Sequence, residues 1–223
     1  MEPAFGVLFD MDGVLVDTNP FHKQTILEFA HLHGLDPDDQ YLEQHVYGKI
    51  NREWIPALFG RNLSIEEIDR LAEEKELLFR RVYASEMKPV SGLIPFLDLL
   101  HHHEIPVALA TSAPPENADF VLDGLHIRSY FAGMIHSNHV TFGKPHPEVY
   151  LKAAASIQLN PVKCLVFEDS LSGIDAGLTA GCTVIGLTTT HSREEMTHAH
   201  LVIDDFEQMD LKTCLRLVEH HSV

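Results

Sequence analysis

The strongest constraint on this chain is a series of short, continuous apolar runs separated by segments of helical pattern. Phe5-Gly6-Val7-Leu8-Phe9, Val107-Ala108-Leu109-Ala110, Cys164-Leu165-Val166-Phe167 and Thr183-Val184-Ile185-Gly186-Leu187 have strand length, and Leu201-Val202-Ile203 is a weaker run of the same kind. A strand with one wet face alternates apolar and polar residues; a strand that is apolar throughout is buried on both faces. Covering both faces requires crossover helices between parallel strands. The expected fold class is therefore α/β, a Rossmann-like parallel sheet with helices on both faces. Helical pattern at 92–103, 115–124, 147–158, 171–181 and 207–219 supplies the later crossovers.

Between the first run and Pro89 more than seventy residues carry helix signals and no convincing strand. Asn19-Pro20 reads as an N-cap followed by proline at the first helical position, and Gly34 as the stop of that helix. Ser64-Ile65-Glu66-Glu67 has the spacing of a capping box and opens a long helix running through Lys75 to about Tyr83. We read an all-helical cap inserted after the first strand at 17–87, with the α/β core at 1–16 and 88–223. Hinges are expected near Val16-Asp17-Thr18 and Met87-Lys88-Pro89. A length of 223 residues suits one such core carrying one insertion.

Composition narrows the partners. The 16 Lys+Arg against 33 Asp+Glu leave a net charge of −17, which disfavours unspecific binding to nucleic acid or anionic lipid, and an anionic substrate must then meet a local cationic site. No apolar run approaches the roughly 20 residues that cross a bilayer, and Met1-Glu2-Pro3-Ala4 does not open a signal peptide. A cytoplasmic protein, monomeric and without nucleic-acid or membrane partners, is expected. Cys164, Cys182 and Cys214 are widely spaced and read as buried thiols.

Ligands of an open parallel sheet bind beyond the carboxyl ends of its strands. There the first run is followed by Asp10 and Asp12, the second by Thr111-Ser112 and the third by Glu168-Asp169, while Lys144 lies in the loop Gly143-Lys144-Pro145. Carboxylates gathered in one crevice raise one another's pKa unless a counter-charge is present. A hard cation supplies it: Asp10, Asp169 and the backbone carbonyl of Asp12 are oxygen ligands of the kind Mg²⁺ takes, with positions left for water and a substrate phosphate. With the metal and Lys144 opposing the charge, one carboxylate can attack a phosphoryl group and form an aspartyl-phosphate, and Asp12 can serve as acid and base. No phosphate-binding G-x-x-x-x-G-K-[ST] or G-x-G-x-x-G pattern offers another reading.

Asp10-Met11-Asp12-Gly13-Val14, Thr111, Lys144 and Glu168-Asp169, in this order, closely resemble the four motifs of the haloacid dehalogenase superfamily of phosphotransferases. The resemblance implies Asp10 as nucleophile, Asp12 as acid/base, and Thr111 and Lys144 on the transferring phosphoryl group. It also implies Asp10, Asp12 and Asp169 at Mg²⁺, with Glu168 as a supporting acidic residue there. The helical insertion is similar to the cap of the β-phosphoglucomutase and small-metabolite phosphatase branch. His22 matches a substrate-linked histidine of that branch, and Lys75 a cap lysine. Gly48-Lys49-Ile50-Asn51-Arg52 departs from the expected glycine–arginine spacing, so Lys49 and Arg52 both remain candidates for the gripping cation. Substrate-binding candidates are thus His22, Lys49, Arg52, Lys75 and Ser112.

Other features have plain readings. His101-His102-His103 closes a helix, Trp54 and Phe59 belong to the core of the insertion, and His136, His139 and His146 are expected to face solvent around the lysine loop. Asn117 reads as an ordinary helix residue with a minor substrate role left open. The implied activity is Mg²⁺-dependent phosphoryl transfer on a small phosphorylated metabolite, a sugar phosphate before others, with hydrolysis as the default outcome. A β-phosphoglucomutase-like phosphohexomutase and a noncatalytic phospholigand-binding module are the alternatives.

Overall fold

The computed structural model describes residues 5–46 and 49–221; the start Met1-Glu2-Pro3-Ala4 and the glycine Gly48 lie outside the described residues. Among the described residues six strands form one wholly parallel sheet: β1 (Gly6–Phe9), β2 (Val107–Ala110), β3 (Gly133–Ile135), β4 (Cys164–Glu168), β5 (Thr183–Leu187) and β6 (Leu201–Ile203), in the spatial order β3-β2-β1-β4-β5-β6. Starting from β1 the chain adds β2 and β3 on one side, then returns to lay β4 against the other side of β1. The order reverses between β1 and β4, and it is beyond the carboxyl ends at such a reversal that open parallel sheets bind their ligands.

The chain divides into two compact units, Met1–Asp17 with Met87–Val223, and Thr18–Glu86. In the α/β unit, successive strand residues point to opposite faces. Leu8, Val166 and Val184 share one buried cluster with Val149, Tyr150 and Ala153 of α7 (Glu148–Ser156) and Ile174 of α8 (Leu171–Thr179). Phe9 and its register partner Phe167 stack with centroids 5.1 Å apart on the opposite face, where Phe96 of α5 (Leu93–His102) and Phe206 close around them. A sheet apolar on both sides is thus covered on both sides. α6 (Pro115–Gly124) follows β2, and α9 (Leu211–His221), against β4 and β5, is the last described element. Where the chain leaves this unit and returns to it, Val16 and Pro89 form an antiparallel bridge and Val90 N donates to Leu15 O at 3.0 Å.

The helical unit contains α1 (Asn19–Leu32), α2 (Asp39–His45), α3 (Asn51–Phe59) and α4 (Ile65–Tyr83). Ile26, Phe29, Leu42, Trp54, Ile55, Leu58 and Leu71 form its core, with Phe59 packed against it. The Ser64–Glu67 capping box is present in both directions: Glu67 N donates to Ser64 Oγ, and Ser64 N to Glu67 Oε2.

Several local expectations need correction. Asn19 is the first helical residue and Thr18 the N-cap, without a side-chain cap bond. β3 has no counterpart in the sequence reading, and the last helix starts at Leu211, because Phe206–Gln208 is a separate 3-10 turn. His136 does not face solvent: it follows β3, is buried, and packs against His139 with ring centroids 3.7 Å apart and the planes tilted by 36°. The three cysteines are buried free thiols. Among the described residues, no helix is long and apolar enough to cross a membrane.

Candidate active site

Asp10 leaves the carboxyl end of β1, its amide bonded to Phe167 O at 3.0 Å, while Glu168 ends β4 and Asp169 follows it. All three lie at or just beyond the carboxyl ends of the two strands that flank the reversal of strand order, which brings three carboxyl groups to one place. Asp10, Glu168 and Asp169 each present an oxygen within 4.8 Å of the other two, and all three are buried. The Asp12 side chain stands outside this trio, in the half-buried turn that follows. Lys144 reaches into the cluster from the loop before α7: its Nζ donates to Asp10 Oδ1 at 2.7 Å and to Glu168 Oε1 at 2.6 Å.

Glu168 is the most heavily bonded member. Tyr150 Oη donates to Oε1 at 2.9 Å, and Asp169 N, Ser170 N and Ser170 Oγ donate to Oε2 at 2.9, 2.8 and 2.9 Å. Ser170 is also the N-cap of α8, accepting from Gly173 N. Burial alone would raise the Glu168 carboxyl, yet the Lys144 ammonium and these donors hold it below the usual carboxylate range. Burial would lower Lys144, and the Asp10 and Glu168 carboxylates outweigh it, holding the ammonium charged.

Asp10 and Asp169 behave oppositely. Burial, opposed by Lys144 and reinforced by Glu168 and Asp12, pushes Asp10 up to about 7, and burial with the charges of Glu168 and Asp10 raises Asp169 well above its ordinary value. Three carboxylates face one ammonium, so the negative charge of the cluster exceeds what Lys144 neutralises. A hard divalent cation relieves that imbalance with the oxygen donors it prefers, and the residues fit Mg²⁺.

The close approach depends on glycine. A Cβ on Gly13, whose φ is +76°, would lie 1.9 Å from Asp169 Oδ2, and one on Gly173 would lie 1.7 Å from Glu168 Oε1. Thr111 is buried after β2 with its Oγ1 accepting from Ala113 N at 3.0 Å, and Ser112 beside it is exposed. Asn117, in the first turns of α6, is buried.

The candidates of the helical unit do not form one group. Lys75 is only 4 % exposed; its Nζ is 2.9 Å from His22 Nδ1 and donates to Glu76 Oε1 at 3.1 Å. His22 stacks on Phe79, and Asn51 Nδ2 donates to the same Glu76 oxygen. Lys75 is therefore a buried, bonded cation and not a solvated surface charge. Lys49 is exposed and donates to Gln44 O at 2.9 Å, and Arg52 is exposed and pairs with Asp69 at 3.5 Å.

Three contributors escaped the sequence reading. Tyr150 looks like any apolar helix position until its hydroxyl is seen on Glu168. Thr189 Oγ1 donates to Gly13 O at 2.5 Å, and Thr190 Oγ1 donates to Asp169 Oδ2. The threonines directly follow β5, at the carboxyl end of a parallel strand where ligands of such sheets bind.

The chain is also similar to known proteins over most of its length. The chain is 34% identical over 178 residues to a phosphorylated carbohydrates phosphatase of Thermotoga maritima, covering 78% of this chain and 81% of that protein. It is 32% identical over 209 residues to hexitol phosphatase A of Escherichia coli, covering 92% of each. Its structure superposes on a β-phosphoglucomutase of Clostridium difficile with a TM-score of 0.85 at 27% identity, covering 99% of both chains. The profile of the haloacid dehalogenase-like hydrolases matches residues 6–181, and the chain belongs to that family.

Proposed function

We propose that this protein is a Mg²⁺-dependent phosphatase of small phosphorylated metabolites, with sugar and polyol phosphates as its substrate class. The observation that carries the reading is the buried Asp10–Glu168–Asp169 cluster with Lys144 bonded to two of its members. The named activities of the two relatives support the substrate class. Members of the family generally use Mg²⁺ and work through an aspartyl-phosphate.

Asp10 and Asp169 would hold the cation with the Asp12 backbone carbonyl, and Glu168 would support it. When bound, the cation would neutralise charge on the phosphoryl oxygens. Asp10 attacks phosphorus, and the ester oxygen leaves with the proton that Asp12 gives it. A water that returns its proton to Asp12 then attacks phosphorus, releasing inorganic phosphate and regenerating the Asp10 carboxylate. Lys144 and Thr111 hold the phosphoryl oxygens, and Ser112 assists beside Thr111. In the helical unit, we assign substrate selection to His22 and Lys75 ahead of Lys49 and Arg52, because the first two already bond to each other.

A screen of sugar phosphates, polyol phosphates and nucleotides for phosphate release, with Mg²⁺ and with excess chelator, tests the reading. Asp10→Asn is expected to abolish turnover while remaining folded. That loss would rule out the noncatalytic binding-module alternative, whereas turnover equal to the parent's would remove Asp10 as nucleophile and overturn the reading. Likeness to a β-phosphoglucomutase favours a second reading, phosphohexomutase, which is distinguished by isomer formation instead of phosphate release from β-glucose 1-phosphate with a trace of bisphosphate.

A further inference from the structure

Thr188-Thr189-Thr190, directly after β5, has three hydroxyls and three different acceptors. Thr188 Oγ1 donates to Asp204 Oδ1 at 2.8 Å just beyond β6, Thr189 Oγ1 to Gly13 O at 2.5 Å, and Thr190 Oγ1 to Asp169 Oδ2. The second and third of these bonds end on the two segments that must stay in register for a cation to be held, the turn after Asp10-Met11-Asp12 and the segment after β4. Those segments already touch, since Gly13 presents its Cα to the Asp169 carboxylate with no room for a Cβ. Tyr150, Lys144 and Ser170 orient Glu168 from one side of the cluster; the threonine run supports the other.

We infer that Thr190 is a positioning residue that orients the Asp169 carboxylate for the divalent cation, and that Thr189 holds the Gly13 turn against it. A carboxylate on a single-bonded χ2 rotor sweeps its oxygens through the cluster unless one of them is tied. A donor on Oδ2 fixes the plane of the group and directs the other oxygen. Outer partners of this kind change metal affinity by about 10- to 100-fold when removed. Thr190 is itself exposed, so valine at this position deletes the hydroxyl without opening a cavity in the core.

This inference rests on the reading that Asp169 holds the cation, and its test is a binding measurement. The melting temperature of full-length parent, Thr190→Val and Thr190→Ser is titrated with Mg²⁺ in the absence of substrate. The parent is expected to gain melting temperature with Mg²⁺. Thr190→Val should need about tenfold more Mg²⁺ for the same gain, and Thr190→Ser, which keeps the donor, should titrate close to the parent. A valine variant that titrates like the parent, or whose melting temperature is lower by the same amount at every Mg²⁺ concentration, assigns Thr190 a structural role only and overturns the inference. A parent that gains nothing from Mg²⁺ overturns the cation reading and this inference together.

Discussion

Lys144 holds the charge balance for two buried carboxylates at once, and its own burial makes that balance costly to disturb. Removing one partner of a buried pair leaves an uncompensated charge, at a cost of about 3–5 kcal/mol. Lys144→Met is expected to lose stability on that scale in urea unfolding without Mg²⁺, along with turnover; a loss below about 1 kcal/mol, the range of an exposed pair, would show that the cluster does not depend on the lysine. Gly173 sets two opposing effects against each other. Alanine ordinarily gains about 1 kcal/mol over glycine inside a helix, but here its Cβ would meet the Glu168 carboxylate, which its many donors prevent from moving aside. Gly173→Ala should therefore destabilise the protein, and a stabilised variant would show that Glu168 moves freely. Asp10, Lys144, Glu168 and Asp169 were legible because each follows a strand run or lies in a loop between such units. Tyr150 was not, because a buried tyrosine in a helix has the same pattern as phenylalanine until the partner of its hydroxyl is known. His136 misled for a related reason: a polar residue between a short strand and a turn reads as exposed, and here the His139 ring covers it.

At the scale of elements, the strands that were easy to read are buried along their whole length, and β3 was missed because it is three residues long and half-buried throughout. Gly133-Met134-Ile135 opens on a glycine and carries less apolar signal than Leu201-Val202-Ile203 of β6, the other three-residue edge strand, so the existence of β3 is decided by pairing with β2. The helical pattern extends ahead of α9 because the 3-10 turn around Phe206 supplies an apolar residue at helical spacing; Phe206 belongs to the aromatic cluster on the sheet. Local chemistry was more reliable where side chain and backbone bond reciprocally, as at Ser64 and Glu67. Ser64→Ala should cost about 1 kcal/mol in thermal or urea unfolding, through fraying of α4 at Ile65–Glu67. An unchanged midpoint would mean that packing of the rest of α4 holds that end without its cap.

For the whole molecule, the reversal of strand order explains why chemistry collects where it does: β1 and β4 are neighbours in space, yet more than 150 residues separate Asp10 from Glu168. The long excursion between β1 and β2 leaves the sheet pairing of β1 undisturbed, because Val16 and Pro89 lie side by side. Adjacent strands sit about 4.8 Å apart, a gap that a tight turn closes. Replacing residues 18–86 with a short Gly-containing turn is expected to leave an α/β unit that still melts cooperatively. Loss of the transition in circular dichroism would show that the sheet needs the helical unit to fold.

The bridge at Val16 and Pro89 gives the chain the property of a socket. Whatever is plugged in there enters and departs through one doorway, so its length and sequence can drift while the strand pairing and the acidic cluster stay as they are.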